Sequence, residues 1–225
     1  MEIIAHIHND FPTKFALPRQ SGLVSSLASK IVFTPKYRVS EALRGIEEFS
    51  HLWLIWEFNQ AKNDDWKPTV RPPRLGGNKR VGVFATRSPF RPNSLGLTCV
   101  KLESVEHSTE LGDVLVVSGA DIMDGTPIYD VKPYIPYADS RPDAIGSFAD
   151  DHADDSLEVS IPEELIDIVP IEKRETLIGV LSQDPRPAYQ DDPERIYGFD
   201  YAGFEIKFKV KNGKLSVVDI SALSL

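Results

Sequence analysis

The sequence predicts a mainly β protein, with a β-barrel in its N-terminal part and a small α+β unit at its C-terminus. Three observations carry that prediction. Short β-branched and aromatic runs, bounded by Gly, Ser or Asn, follow one another through the first 135 residues. Only one segment among them has helical spacing. An acidic, poorly patterned segment, Ala138–Glu158, then leads to a second region that combines a helical pattern with a hairpin.

Taken in order, Glu2–Ile7 and Lys30–Phe33 are short apolar runs that predict strands. Val39–Phe49 (VSEALRGIEEF) is the helical segment, with Ser40 as N-cap and Gly45 as an interruption. His51–Phe58 (HLWLIWEF) is almost continuously apolar, which predicts a strand buried on both faces. Arg80–Thr86, Leu97–Val105 and Asp113–Ser118 complete the first set of strands. Beyond the acidic segment, Pro162–Leu181 predicts a helix divided at Pro170. Phe204, Ile206, Phe208 and Val210 alternate with polar residues, and Leu215 and Val217 resume after Asn212-Gly213, which predicts a hairpin with a two-residue turn. The expected division is therefore 1–138 (barrel), 139–160 (acidic connector) and 161–225 (α+β unit).

Charge is distributed unevenly. The chain carries −9 overall, yet Trp66–Leu102 contains no Asp or Glu and eight basic residues, so the remainder sums to −17. A basic island in an acidic protein predicts a local site for an anion, a nucleic acid or a phosphate, and argues against indiscriminate coating of polyanions. The single cysteine, Cys99, excludes an internal disulfide and a multi-cysteine metal site, which fits a reducing cytoplasm. No apolar run approaches the roughly 18 residues of a membrane span. The first residues, MEIIAHIHNDFPTKF, lack the basic and apolar regions of a secretory signal.

Several loops could carry chemistry. Pro89 and Pro92 stiffen the loop that bears Arg87 and Arg91, so two guanidiniums stand ready for a carboxylate or phosphate, or else bond local carbonyls. Leu75–Arg80 (LGGNKR) is either a phosphate cradle or a Gly-rich turn, and lacks the spacing of a P-loop. Asp121–Pro127 (DIMDGTP) places two carboxylates three residues apart before a turn. Pro18-Arg19-Gln20 joins a rigid residue to a cation and an amide. Asn59 and Gln60 follow the aromatic strand, and Asp184–Tyr189 (DPRPAY) repeats the Pro-locked arginine. His6 and His8 share a strand face without a third ligand, so no metal is expected. Neither a Rossmann fingerprint nor a Gly-x-Ser-x-Gly elbow is present.

These loops, in this order, resemble the TsaA-like family. The resemblance rests on PRQ at Pro18–Gln20, FSHLW at Phe49–Trp53, RPPRLGGN at Arg71–Asn78, GVFATRSPFRPN at Gly82–Asn93, DGTPIYDVKPY at Asp124–Tyr134 and DPRPAY at Asp184–Tyr189. Ser94-Leu95 departs from the Pro-Ile often found there and leaves Arg87, Arg91 and Asn93 intact. The resemblance implies a β-barrel that binds S-adenosylmethionine, works as a homodimer and methylates tRNA. The methyl would go to N6 of the anticodon-adjacent adenosine, already bearing an N6-threonylcarbamoyl group.

Carried over by position, the resemblance implies cofactor contacts from Pro18, Arg19, Gln20, Asn59, Gln60, Arg87, Leu97, Met123, Asp124, Gly125 and Thr126. The anticodon stem-loop would then meet Arg71, Arg74, Lys79, Arg80, Arg91 and Arg186, with Phe90 or Tyr134 stacking a base. Arg186 and Tyr189 would complete the partner's site in a dimer. Asp124 is a candidate proton acceptor, and no other catalytic residue is indicated. Two alternatives stand beside this reading: a non-catalytic RNA-binding barrel, and a divalent-metal nucleotide hydrolase using Asp121 and Asp124.

Overall fold

The computed structural model describes the chain apart from residues 62–65, 73–74, 76–78, 153–154, 187–189, 191 and 224–225. The protein is mainly β, with few helices. Its first sheet comprises β1 (Ala5–His8), β2 (Ala28–Phe33), β3 (His51–Glu57), β6 (Leu95–Ser108), β7 (Gly112–Ser118) and β8 (Pro127–Pro133). Between β3 and β6, β4 (Thr69–Val70) and β5 (Val81–Gly82) pair only with each other and form a separate arm. The six longer strands are antiparallel in the order β1–β2–β7–β6–β3–β8, and the ladder returns to β1 through Ala5↔Ile128 and His6↔Pro127. The sheet thus closes into a ring.

Alternation decides what fills that ring. In β3, Leu52, Leu54 and Trp56 are buried with Ala5, Ile7, Ile31, Val100, Leu115, Val117 and Ile128, whereas His51, Trp53, Ile55 and Glu57 are half-buried on the outside. This corrects the expectation of burial on both faces. An antiparallel ring has one dry interior, and the outward aromatics are covered only in part. Each fully buried leucine contributes about 2 kcal/mol through the area removed from water. Trp56 lies on Gly96, where a Cβ would come within 2.2 Å of the indole Cε2. Only glycine lets the indole sit there.

Two further elements differ from expectation. Val39–Phe49 forms short 3-10 turns at Ser40–Leu43 and Ile46–Glu48, interrupted at Gly45 as expected, and Ser40 makes no side-chain cap. Arg80–Thr86 is not one strand: β5 ends at Gly82, and a 3-10 turn, Val83–Ala85, follows, with Val83 buried.

After β8 come the short α1 (Pro136–Asp139), then β9 (Glu158–Ser160), α2 (Glu163–Ile166), α3 (Ile171–Ser182), β10 (Tyr197–Tyr201), β11 (Phe204–Lys211) and β12 (Lys214–Ala222). The second sheet has the order β10–β11–β12–β9, with β9 parallel to β12. A strand therefore lies inside the segment 139–160. Leu157 and Val159 pack on the second core, which gives that end of the acidic segment an apolar reason to order. Pro170 caps α3 and separates it from α2. The β11–β12 turn has Asn212 at φ 52° and Gly213 at φ 76°, the left-handed pair that a type I′ hairpin requires. A bulge at Lys207/Phe208 pairs Phe208 with Val217, so Val217 and Ile220 both reach the core.

Residues 11–27, which connect β1 to β2, also belong to this second core. Phe11, Ala16, Val24 and Leu27 are buried among Leu177, Val180, Tyr201 and Phe208. Thr176 Oγ1 donates to the Ser26 carbonyl at 2.8 Å, the Ala202 N–H donates to the Asp10 carbonyl at 3.1 Å, and Lys173 pairs with Asp10. The β1–β2 connection is thereby clamped by the C-terminal unit while both its ends remain in the ring.

Candidate functional site

The antiparallel order puts three connections at one end of the ring: 9–27 after β1, 58–94 after β3, and 119–126 between β7 and β8. Every cofactor residue expected from the sequence lies on, or next to, one of these. The opposite end carries 34–50, the tight 109–111 turn and the exit of β8. Tyr134 lies there, beside His51 and Trp53 at ring-centroid distances of 6.2 and 5.7 Å. Tyr134 therefore stands at the end of the ring opposite the mouth.

At the mouth, Pro18 is buried, Gln20 is half-buried and Arg19 is exposed. The Arg87 guanidinium donates to Gln20 Oε1, joining the first and second connections. Gln20 Nε2 donates to the Arg19 carbonyl at 2.6 Å, and Arg19 Nη2 donates to the Asp184 carbonyl at 3.2 Å. The third connection is equally fixed. Asp124 Oδ1 accepts the Asn9 N–H at 3.0 Å and lies 3.2 Å from His8 Nδ1, while the Gly125 N–H donates to the Ile7 carbonyl at 2.8 Å. Thr126 is buried, whereas Met123 and Asp124 are half-buried and Gly125 is exposed.

Asp121 lies within reach of the Arg87 charge and of the Ser21 N–H. Thr98 Oγ1 donates to its carboxylate at 2.7 Å and itself accepts the Trp56 Nε1–H at 2.9 Å. Burial raises the Asp121 carboxyl above its ordinary range, against the opposing pull of Thr98, of backbone N–H groups including that of Ser21, and of Arg87. From the sequence Asp121 had a role only in the metal-hydrolase alternative; its proximity to Arg87 depends on two connections meeting across the ring. Asp121 and Asp124 hold different partners. Among the described residues, no group of three or more His, Cys, Asp or Glu side chains could hold a metal ion.

Asn59 and Gln60 form an exposed 3-10 turn directly after β3, at the same end. Leu97 is third in β6 and points outward, 60% exposed, opposite Ile55. It stands outside the ring rather than over the mouth. Nearby, Tyr129 Oη donates to Glu57 Oε2 at 2.5 Å, and that bond, with burial and the carboxylate charge, pushes the phenol up to about 12. Tyr129 is a donor at neutral pH, not a base.

The expected tRNA residues divide. Arg71, Lys79 and Arg80 are exposed on the β4–β5 arm, where Arg80 Nη1 donates to Thr69 Oγ1 at 3.2 Å. Arg74, the glycines and Asn78 of the suggested phosphate cradle, and Tyr189 lie outside the described residues. Arg91 instead holds its own loop, donating to the Thr86 carbonyl at 2.7 Å. Arg186 makes two 2.8 Å bonds to the Asp184 carboxylate with its side chain 15% exposed. Both guanidiniums thus also hold their own loops.

Residues 6–140 match the family model of the tRNA-methyltransferase O N-terminal domain, and residues 155–223 match that of the TrmO C-terminal domain. The chain belongs to the TrmO family. It is 41% identical over 225 residues to the tRNA (adenine(37)-N6)-methyltransferase of Escherichia coli (strain K12), covering 96% of this chain and 95% of that one. A relative from Eikenella corrodens with the same name is 44% identical over 176 residues, 78% of this chain and 98% of its own length. A probable S-adenosyl-L-methionine-binding protein of Pyrococcus abyssi matches 138 residues at 39% identity, 61% of this chain and 69% of that protein. Among solved structures, TrmO from Pseudomonas aeruginosa superimposes with a TM-score of 0.78 at 32% identity, covering 98% of this chain and 97% of that chain.

Proposed function

We propose that this TrmO-family chain is an S-adenosylmethionine-dependent tRNA methyltransferase. It methylates N6 of N6-threonylcarbamoyladenosine at the position its relatives' names give, adenine 37 beside the anticodon. The observation that carries the reading is the convergence of residues 18–20, 59–60, 87 and 123–126 on one mouth, with Arg87 donating to Gln20 across it. The scaffold is read as a β-barrel whose C-terminal unit, 161–225, is joined by 139–160 and grips residues 11–27.

The cofactor, when bound, supplies a methyl group on a positively charged sulfur. The residues at the mouth suit its other groups. Arg19 and Arg87 match a carboxylate, Asp121 has the sign that an ammonium or sulfonium attracts, and the exposed Gly125 backbone lets a ligand approach closely. Trp56, at the mouth end of β3, and Ile122, in the third connection, are buried in the ring's core.

The substrate N6–H belongs to a urea-like group, more acidic than a plain adenine amine. Positioning by these fixed loops would therefore supply much of the acceleration without a strong base, with the N6 proton passing to solvent at the mouth. Asp124, engaged with Asn9 and His8, serves the shape of its turn. Cations of the arm meet phosphates of the anticodon stem-loop.

A homodimer fits the outward face of β3 and β6, where exposed Leu97 adjoins half-buried Ile55, Trp53 and Cys99. In a dimer Leu97 reaches a cofactor lying between protomers. We read the protein as cytoplasmic because that is where a tRNA substrate is met; no helix among the described residues is long and apolar enough to cross a membrane. Mass spectrometry of tRNA nucleosides from cells lacking the gene tests the function. The methyl on threonylcarbamoyladenosine should disappear, and its persistence would contradict the proposal.

A further inference from the structure

The β4–β5 arm leaves two large aromatic rings in water. Trp66, just before β4, and Phe84, just after β5, stack with centroids 6.1 Å apart and planes 28° from parallel. They remain 47% and 71% exposed. The register Thr69↔Gly82, with the Val83 N–H donating to the Pro68 carbonyl at 2.9 Å, places these flanking residues side by side at the base of the arm. The Arg91 guanidinium lies 5.8 Å from the Phe84 ring centre while its Nη1 holds the Thr86 carbonyl, so the ring is fixed from one side.

Neither aromatic joins the core of the barrel-like sheet or that of the C-terminal unit. Burying either would gain stability, so their exposure calls for a partner. The surroundings select which one. The stretch 66–102 has no carboxylate, and among the described residues the exposed cations on and beside the arm include Lys67, Arg71, Lys79 and Arg80. A polyanion bearing flat apolar groups matches this: a single-stranded RNA segment, whose bases stack on aromatic faces while its phosphates meet the cations.

We propose that Trp66 and Phe84 form a stacking platform for an unpaired base of the RNA substrate, and that the arm is an RNA-reading element beside the cofactor mouth. The inference rests on the tRNA reading above and gives it a surface. It puts the stacking surface on Trp66 and Phe84 rather than on Phe90, an exposed ring of the same connection, or on Tyr134 at the other end of the ring.

The experiment measures binding of the full chain to a fluorescein-labelled anticodon stem-loop containing threonylcarbamoyladenosine, across a series of salt concentrations. Trp66→Ala and Phe84→Ala should each weaken binding about 5- to 100-fold, with an unchanged log–log salt slope. Lys79→Ala/Arg80→Ala should instead flatten the slope by about 0.7–0.9 for each phosphate no longer neutralised. A second readout needs no loss of the ring. The RNA should quench the fluorescence of the wild type, and Trp66→Phe should abolish that quenching while keeping affinity within about threefold.

Wild-type affinity in both alanine variants would overturn the platform. So would a loss expressed only through the salt slope, or a change in oligomeric state with RNA affinity intact, which would make the rings an interface between copies. If the wild type fails to bind the stem-loop, the tRNA reading itself is wrong. If it binds and the aromatic variants bind equally, only the platform is.

Discussion

The Arg87 guanidinium donates to Gln20 Oε1, joining residues 67 positions apart in sequence across the mouth of the ring. The contact makes one surface out of two Pro-stiffened loops. If that surface holds the cofactor carboxylate, Arg87→Ala should weaken S-adenosylmethionine binding about 10- to 100-fold, the range for removing a charge-assisted hydrogen bond. Arg87→Lys should recover only part of that affinity, because an ammonium lacks the planar fork. Isothermal titration calorimetry reads both, and unchanged affinity in Arg87→Ala would remove Arg87 from the cofactor site.

Asp121 should make stability depend on pH. Burial raises its carboxyl above the ordinary value of 3.8. Below that value both folded and unfolded chains are protonated and nothing is lost. Between 3.8 and the raised value the folded chain binds more proton, so stability falls as pH rises, and above it the whole penalty is present. Asp121→Asn should therefore be at least as stable as the wild type near pH 7, with any gain shrinking toward about pH 4. Urea denaturation at both pH values checks this, and a variant destabilised only near neutrality would reverse the sign.

Trp56 and Gly96 give a purely steric prediction. A methyl at position 96 would come within 2.2 Å of the indole, which is also held through Thr98. Gly96→Ala should cost about 1–3 kcal/mol by overpacking, seen as a lower urea midpoint. An unchanged midpoint would mean that the indole relaxes freely.

Arg91 and Arg186 should behave unlike surface cations. Arg91 holds the Thr86 carbonyl, and Arg186 holds Asp184, whose own carbonyl accepts from Arg19. Replacing either with Ala should raise the KM for S-adenosylmethionine, by loosening a cofactor loop, and leave the salt slope of tRNA binding unchanged. Steady-state kinetics and a salt titration together distinguish this from phosphate binding.

The sequence made the local structure more legible than the assembly. The Asn212-Gly213 hairpin, the division of the helix at Pro170 and the break at Gly45 all follow from backbone chemistry, and all are present. That residues 18–20, 59–60 and 87 lie in connections rather than strands was legible as well, because Pro-locked arginines are local features. Facing was not. HLWLIWEF is apolar at nearly every position, and only ring closure decides that Trp56 turns in and Trp53 out. The link from Asp121 to Arg87 spans separate connections, and the burial of Phe11 and Val24 against α3 crosses between units, so no spacing rule reveals either. Arg186 sits in the same Pro-locked setting as Arg87, yet Asp184 two residues earlier captures it.

The most direct measurement incubates the purified chain with S-adenosylmethionine carrying a labelled methyl group and tRNA containing threonylcarbamoyladenosine, then analyses the nucleosides by mass spectrometry. The label should appear on N6 of threonylcarbamoyladenosine with the wild type, and far more slowly with Arg87→Ala. Absence of the label, its transfer to another nucleoside, or full activity in Arg87→Ala would contradict a methyl-transfer site at this mouth.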